Sequence, residues 1–243
     1  LIQEFNLKER DGYVLSYIDD WQHDDSHLFY RLYDCKALRL QTLSAVFILP
    51  KTKGILNISL KKGDREMNVL IRQEEAGDYI KTEELIRSAF ANVEFSDKTE
   101  HELVRKLRGS NCYVPELSLV AIEEMSGETV GHVLMTKARI SSIQSIETLA
   151  LAPVSVLPEY QNNGIGTQLI NKALAKAIKL GFSSAIVLGH PNYYPRFGFE
   201  KASKWGIKAP WNVPDEVFMA MELKKGSLEN SSGTVEYPKE FSD

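Results

Sequence analysis

Cysteine is nearly absent from this chain: Cys35 and Cys112 are the only two among 243 residues, and they form no Cys-x-x-Cys. Neither a disulfide framework nor a cysteine-based zinc site is indicated, and a reducing cytoplasm is the expected setting. Long apolar runs are also missing. Leu43 to Leu49, the longest near the start, falls far short of the roughly 20 residues a membrane helix requires, and no charged-then-apolar leader opens the chain. Positive charge is not in excess. A formal net charge of -4 argues against general nucleic-acid binding. What remains, 43% hydrophobic and 26% charged residues, is ordinary for a globular protein and allows one large domain or one domain with an appendage.

Two further absences narrow the most informative stretch, which runs from Leu149 to Gly181. An apolar strand, Leu149 to Leu157, leads through Pro158-Glu-Tyr-Gln-Asn-Asn-Gly-Ile-Gly-Thr167 into an amphipathic helix with Leu169, Ile170, Ala173, Leu174, Ala177 and Ile178 on one side. Lys172, Lys176 and Lys179 fall on the other, and Gly181 stands where a C-terminal cap belongs. Gly164 and Gly166 let backbone N–H groups approach a ligand closely. Those first N–H groups lack intrahelical partners and have the positive end of the helix dipole behind them, which suits a phosphate. A dinucleotide fingerprint needs a third glycine, where this chain has Leu169; a P-loop needs a lysine, but Gly166 runs directly into Thr167. Both common nucleotide readings fail.

Around this stretch the chain reads in order. Residues 1 to 66 carry an acidic patch (Asp19, Asp20, Asp24, Asp25), short helical hints from Leu28 to Leu40, and His23 and His27 four apart. The histidine pair reads as a half-built metal site or as solvated surface, and no third ligand is evident nearby. Met67 precedes a first strand; one expectation is that it is the natural start and that residues 1 to 66 are translated upstream sequence, which a native mass including them would refute. Asp78 to Ala91, with Ile80, Leu85, Ile86, Ala89 and Phe90, predicts a helix. A second follows from a capping box at Asp97-x-x-Glu100 through Leu107 to Gly109. Leu117 to Glu123 and Val130 to Met135 flank a Ser-Gly turn and predict a hairpin. Pro153 within the 149–157 strand marks either an edge strand or a bulge that parts this strand from Ser184 to Gly189 and frees the backbone of Val154 to Val156. Val217 to Leu223 and Thr234 to Pro238 are the last extended pieces.

Gln161, Asn162, Asn163, Gly164, Ile165 and Gly166 resemble the Gln/Arg-x-x-Gly-x-Gly/Ala turn with which the GNAT acetyltransferases hold the pyrophosphate of coenzyme A. Some thirty residues on, Tyr194-Pro-Arg-Phe-Gly198-Phe199 is similar to that family's Tyr four residues before Gly-Phe. The run Val187 to Phe199, together with Pro214 to Leu223 and the closing Gly233 to Pro238, resembles more narrowly the YhbS-like branch, over about residues 68 to 243. The resemblance implies a mixed α/β fold for residues 67–243. Its central sheet would be mostly antiparallel, splayed between the domain's fourth and fifth strands and flanked by helices, with residues 1–66 an N-terminal extension of unassigned role.

The implied activity is transfer of an acetyl group from acetyl-CoA, the co-substrate, to a primary amine of a small molecule or protein, without a metal. The rival is a non-catalytic CoA or acyl-CoA-binding sensor on the same fold. By the resemblance, the backbone of Val154, Ser155 and Val156 pairs with the pantetheine and the acetyl carbonyl, where an N–H would stabilise the oxyanion. Gln161 to Thr167 (Asn162, Asn163, Gly164, Ile165 and Gly166 between them) holds the pyrophosphate. Tyr194 protonates the departing thiolate, or is an aromatic packed under a loop. Where relatives carry a glutamate base, counting back from Gln161 reaches Ala150, so Glu147 is the nearest carboxylate; water, His132, His190 and an amine of low pKa are alternatives. Trp205, Trp211, Pro210 and Pro214 line an acceptor pocket or serve as core and turn residues. The partner expected is an amine rather than nucleic acid or a membrane, and a homodimer stays open.

Overall fold

The computed structural model of the chain describes residues 13–14, 42–48 and 55–62 by their backbone, and residues 68–94, 96–142 and 145–242 with their side chains. It divides into two compact units, Leu1–Glu66 and Met67–Asp243. In the first unit, β1 (Tyr13–Val14), β2 (Thr42–Ile48) and β3 (Ile55–Lys62) form an antiparallel sheet in the order β1-β3-β2. The acidic patch, His23, His27, the helical hints from Leu28 to Leu40, and Met67 lie outside the described residues.

The second unit is built on one sheet. Its strands are β4 (Val69–Gln73), β5 (Tyr113–Glu123), β6 (Thr129–Ser141), β7 (Ile146–Val156), β8 (Ser184–Leu188), β9 (Glu200–Lys201), β10 (Ile207–Lys208), β11 (Phe218–Glu222) and β12 (Gly233–Glu236). They run in the order β4-β5-β6-β7-β8-β11-β9, and β12, with β10 beside it, pairs with the far end of β6. Every neighbouring pair is antiparallel except β7 with β8 and β10 with β12. Since β7 and β8 are the fourth and fifth strands of the unit, its mixed, mostly antiparallel architecture is the one expected.

Alternation along the central strands explains why the sheet has two cores. Successive side chains point to opposite faces, and accordingly Leu149, Leu151, Ala185, Val187 and Met219 enter one buried cluster while Ala150, Ile186, Phe218 and Ala220 enter the other. The first cluster also takes the inward stripe of α3 (Ile165–Lys179), with Ile165, Leu169, Ile170, Ala173, Leu174 and Ala177 buried. The helix closes with Gly181 N–H on Ile178 O and Phe182 N–H on Ala177 O, a paired C-terminal cap. Ile178, counted with the apolar stripe in the sequence, is 51% exposed.

Two shorter helices, α1 (Tyr79–Phe90) and α2 (Glu100–Arg108), add Leu85, Ile86, Val104 and Leu107 to the same cluster. Ile80 points outward, because the buried face of α1 is centred on Thr82, Leu85 and Ile86. The capping box expected at Asp97 and Glu100 is not formed. Thr99 occupies the N-cap position, and the Asp97 carboxylate accepts the Thr99 N–H at 2.9 Å instead. Among the described residues no helix is long and apolar enough to cross a membrane.

Candidate functional site

The site begins where two parallel strands separate. β7 and β8 pair at Leu149–Ala185 and Ala150–Ile186 and no further, although β7 continues to Val156 and β8 to Leu188. On its other side β7 stays in register with β6, but the pairing steps from Val133–Val154 to Met135–Leu151, which leaves one extra residue on β7. That bulge falls at Ala152–Pro153, at the proline for which the sequence allowed a bulge or an edge strand. Its consequence is an open edge: among the described residues the β8-facing side of β7 has no strand partner from Leu151 onward, and Val154 and Val156 are half-buried there. An unpaired strand edge is a template for any extended group that carries amides.

The open edge leads into the glycine turn. A single 3-10 turn, Pro158–Tyr160, reverses the chain, and Asn162 (φ 63°) and Gly164 (φ 76°) then adopt left-handed backbone. Three side-chain bonds shape the loop: Gln161 Nε2 donates to Val156 O (3.1 Å), and Asn163 Nδ2 donates to Tyr160 O (3.1 Å) and Gln161 O (3.0 Å). The first helical bond is Gln168 N–H to Gly164 O, at 3.0 Å, and no side chain caps the helix. The N–H groups of residues 165–167 therefore precede the hydrogen-bonded ladder, at the positive end of a fifteen-residue helix. Residues 161–164 are exposed, and Gly166 and Thr167 are half-exposed.

Gly166 has a neighbour the sequence did not single out. A Cβ there would come within 2.9 Å of the Tyr193 hydroxyl, so Tyr193 reaches the helix start. The Arg196 guanidinium lies over the Tyr193 ring, 4.6 Å from its centroid, and brings a cation to the same aromatic group. Tyr194 meets Tyr193 edge-on at 5.2 Å and Phe199 at 5.9 Å. It also fills the space left by the missing side chain of Gly189, just beyond β8, where a Cβ would overlap its ring at 2.1 Å. Tyr194 thus stands on the β8 arm of the cleft and Val154–Val156 on the β7 arm. Burial, then the neighbouring Tyr193, pushes the Tyr194 phenol above its ordinary pKa, so it stays protonated at neutral pH.

Glu147 is not brought to this cleft. It lies seven residues before Val154 on β7, roughly 23 Å away at about 3.3 Å per residue; it is exposed and faces Lys137 at 3.8 Å. Ala150 lies at the branch point and is 1% exposed. It forms part of the floor of a cavity of about 160 Å³ that Trp211 also lines, whereas Trp205 borders a separate hollow of about 290 Å³ beside Met221 and Glu222. His190 is exposed and accepts the Asn192 N–H on Nδ1 at 3.2 Å, which fixes a turn. Among the described residues no group of three or more His, Cys, Asp or Glu could hold a metal ion.

A buried polar cluster lies one strand away. His132 on β6 is directly opposite Ser155 on β7 and Val120 on β5. Its Nε2 meets Ser118 Oγ at 3.1 Å; Ser118 donates to Glu74 Oε2 at 2.7 Å, and Arg108 holds Glu74 through Nη2 at 2.7 Å while reaching Glu83 through Nη1 at 2.8 Å. Burial alone would raise the Glu74 pKa, but His132, the Arg108 guanidinium and the Ser118 hydroxyl bring it below the usual carboxylate value. Burial pushes His132 down to about 4. A neutral imidazole exerts no such pull, so at neutral pH Arg108 and Ser118 keep Glu74 ionised. His132 Nδ1 and Ser155 Oγ are buried without a protein partner.

Comparison with known proteins is consistent with this geometry. A profile of the Acetyltransferase (GNAT) family matches residues 81–199. The uncharacterized N-acetyltransferase YjhQ of Escherichia coli K12 is 39% identical over 124 residues, which cover 50% of this chain and 67% of YjhQ. YhbS, an uncharacterized N-acetyltransferase of the same organism, is 28% identical over 173 residues, covering 71% of this chain and 98% of YhbS. The crystal structure of Escherichia coli YhbS in complex with CoA matches with a TM-score of 0.66 at 26% identity, over 73% of this chain and 93% of that one. A GNAT family acetyltransferase from Brucella melitensis, in complex with acetyl-CoA, matches with a TM-score of 0.60 at 29% identity, over 72% and 99%.

Proposed function

The chain belongs to the GNAT acetyltransferase family, and from that premise we propose that it transfers the acetyl group of acetyl-CoA to a primary amine of a small molecule or protein, with residues 67–243 as the acting domain. The observation that carries the proposal is the continuity of the open β7 edge with the uncapped start of α3. The edge offers amides to an extended pantetheine arm, and the helix start offers N–H groups to a diphosphate. In this reading Val154, Ser155 and Val156 hold the arm and the thioester, and Gln161 through Thr167 hold the pyrophosphate. Tyr193 and Arg196 border the same turn.

The reaction follows from that placement. The amine nitrogen attacks the thioester carbonyl carbon, and the carbonyl oxygen takes up negative charge that a free N–H of β7 stabilises. Collapse breaks the C–S bond, the nitrogen loses one proton to water and the departing thiolate takes one from water, giving an amide and free CoA. Tyr194, kept protonated by burial, donates a hydrogen bond to the leaving sulfur. The reading sets the reaction in the cytoplasm and takes a homodimer as the assembly to look for. Release of free thiol from acetyl-CoA in the presence of a panel of amines tests it, and release should fall with Tyr194→Phe. Tight CoA binding with no release for any amine would favour the sensor reading, which is motivated by Ala150 at the branch point and the remoteness of Glu147.

A further inference from the structure

The cavity at the branch point has walls that select among amines. Its floor is the stretch 150–152 of β7 that runs into the bulge, Ile186 and Leu188 come from β8, and Trp211, Tyr237 and Phe241 complete its lining. The three aromatic rings form one wall, with centroids 4.9 Å apart from Trp211 to Tyr237 and 4.9 Å apart from Tyr237 to Phe241. Among the described residues no carboxylate, ammonium or guanidinium lines the space. Its volume of about 160 Å³ is close to that of an apolar cavity that admits one benzene ring, about 150 Å³. Its floor is the strand whose open edge the acetyl-transfer reading assigns to the thioester.

We infer that the acceptor is a primary monoamine with an apolar, ring-sized body, seated in this cavity against Trp211, Tyr237 and Phe241 with its nitrogen toward the β7 edge. The inference rests on the acetyl-transfer reading for the place of the thioester, but the cavity's own selectivity does not. An aromatic body gains edge-to-face contact with the wall and removes apolar surface from water. A second ammonium, or the carboxylate of an amino acid, would be buried there without a partner. The same apolar walls favour the uncharged form of an amine nitrogen held at the β7 edge, because desolvation disfavours the ammonium. A lone pair is then available although Ala150 supplies no base. The nitrogen's proton leaves after the C–N bond has formed, to water at the open end of the cleft.

The test is a calorimetric titration of the full chain with 2-phenylethylamine and, separately, with spermidine, each with and without saturating CoA. Saturation by 2-phenylethylamine at a concentration at least tenfold below that for spermidine is expected. Trp211→Ala should weaken 2-phenylethylamine at least fivefold, and Leu188→Glu, which sets a carboxylate at the rim, should narrow or reverse the preference; both positions are more than 40% exposed, so folding is not at risk. Spermidine binding as tightly as 2-phenylethylamine, or aromatic binding indifferent to Trp211→Ala, would overturn the inference. The arms without CoA keep this result readable if CoA itself fails to bind, an outcome that would defeat the acetyl-transfer reading alone.

Discussion

Gly166 shows how much a single missing methyl controls. Alanine there would drive a Cβ to 2.9 Å from the Tyr193 hydroxyl, the far end of a side chain that can swing away. Because that swing takes Tyr193 away from the helix start, the expected outcome of Gly166→Ala is a loss of about tenfold in CoA affinity, roughly 1.4 kcal/mol, recovered in large part by adding Tyr193→Phe. Calorimetry on the single and double variants checks it, and an unaffected single variant would contradict the contact. Tyr194→Phe should lower the rate of thiol release by about 100-fold with little change in KM for acetyl-CoA. Because burial raises the phenol's pKa, the wild-type rate should show no alkaline loss from this group below about pH 10. His132 makes a separate prediction for stability. With its folded pKa depressed to about 4 against a reference near 6.5, the unfolded chain binds a proton that the folded chain refuses throughout that interval. Stability should fall as pH drops from about 6.5 to 4, by on the order of 3 kcal/mol. Urea denaturation across that range tests this, and an equally steep loss in His132→Gln would contradict it. At this scale the sequence shows Tyr194 because a motif marks it, whereas Tyr193, one residue earlier, has nothing to mark it but its place in three dimensions. Glu147 is legible only as a nearby carboxylate, and its position far down an extended strand is what distances it from the cleft.

Elements were readable where one physical rule set them. The apolar stripe of α3 predicts a helix that is found at Ile165–Lys179, and an apolar run broken by a proline predicts a strand with either a bulge or an edge position, of which β7 has the bulge. The rule fails where a side chain has two uses. Lys172 and Lys176 fall on the side opposite the apolar stripe, yet Lys172 Nζ donates to Ile71 O at 2.7 Å and Lys176 Nζ lies 3.5 Å from Gln73 Oε1, tying α3 to β4. A long aliphatic stem lets a lysine cover apolar surface and still reach a distant carbonyl, which no periodicity reveals. Lys172→Ala should accordingly destabilise the protein by about 1.5 kcal/mol, whereas Lys179→Ala should have little effect; equal urea midpoints for the two variants would contradict the tie. The Asp97 cap was misplaced because Thr99, two residues on, competes for the same carboxylate.

At the scale of the whole molecule, the parting of β7 from β8 and the start of α3 lie in a single run of chain, and the compact unit Met67–Asp243 contains both. A chain cut before Met67 should therefore bind CoA within about twofold of the full chain; a loss beyond tenfold would give residues 1–66 a part in the site. The open edge and the glycine turn, from which the proposed CoA seat is built, were legible because glycine and proline leave marks in a sequence. The cavity proposed for the acceptor was legible only at Trp211; residues 150, 186, 237 and 241 join it through sheet topology. The central claim, that the bare amides of β7 and of the α3 start grip CoA, is tested most directly by following backbone amide resonances during titration of the isotopically labelled protein with CoA. Saturable shifts sharing one dissociation constant at Val154, Val156 and the N–H groups of residues 164–167 are the predicted result. Resonances there that stay still at millimolar CoA, or shifts confined to another face, would contradict it.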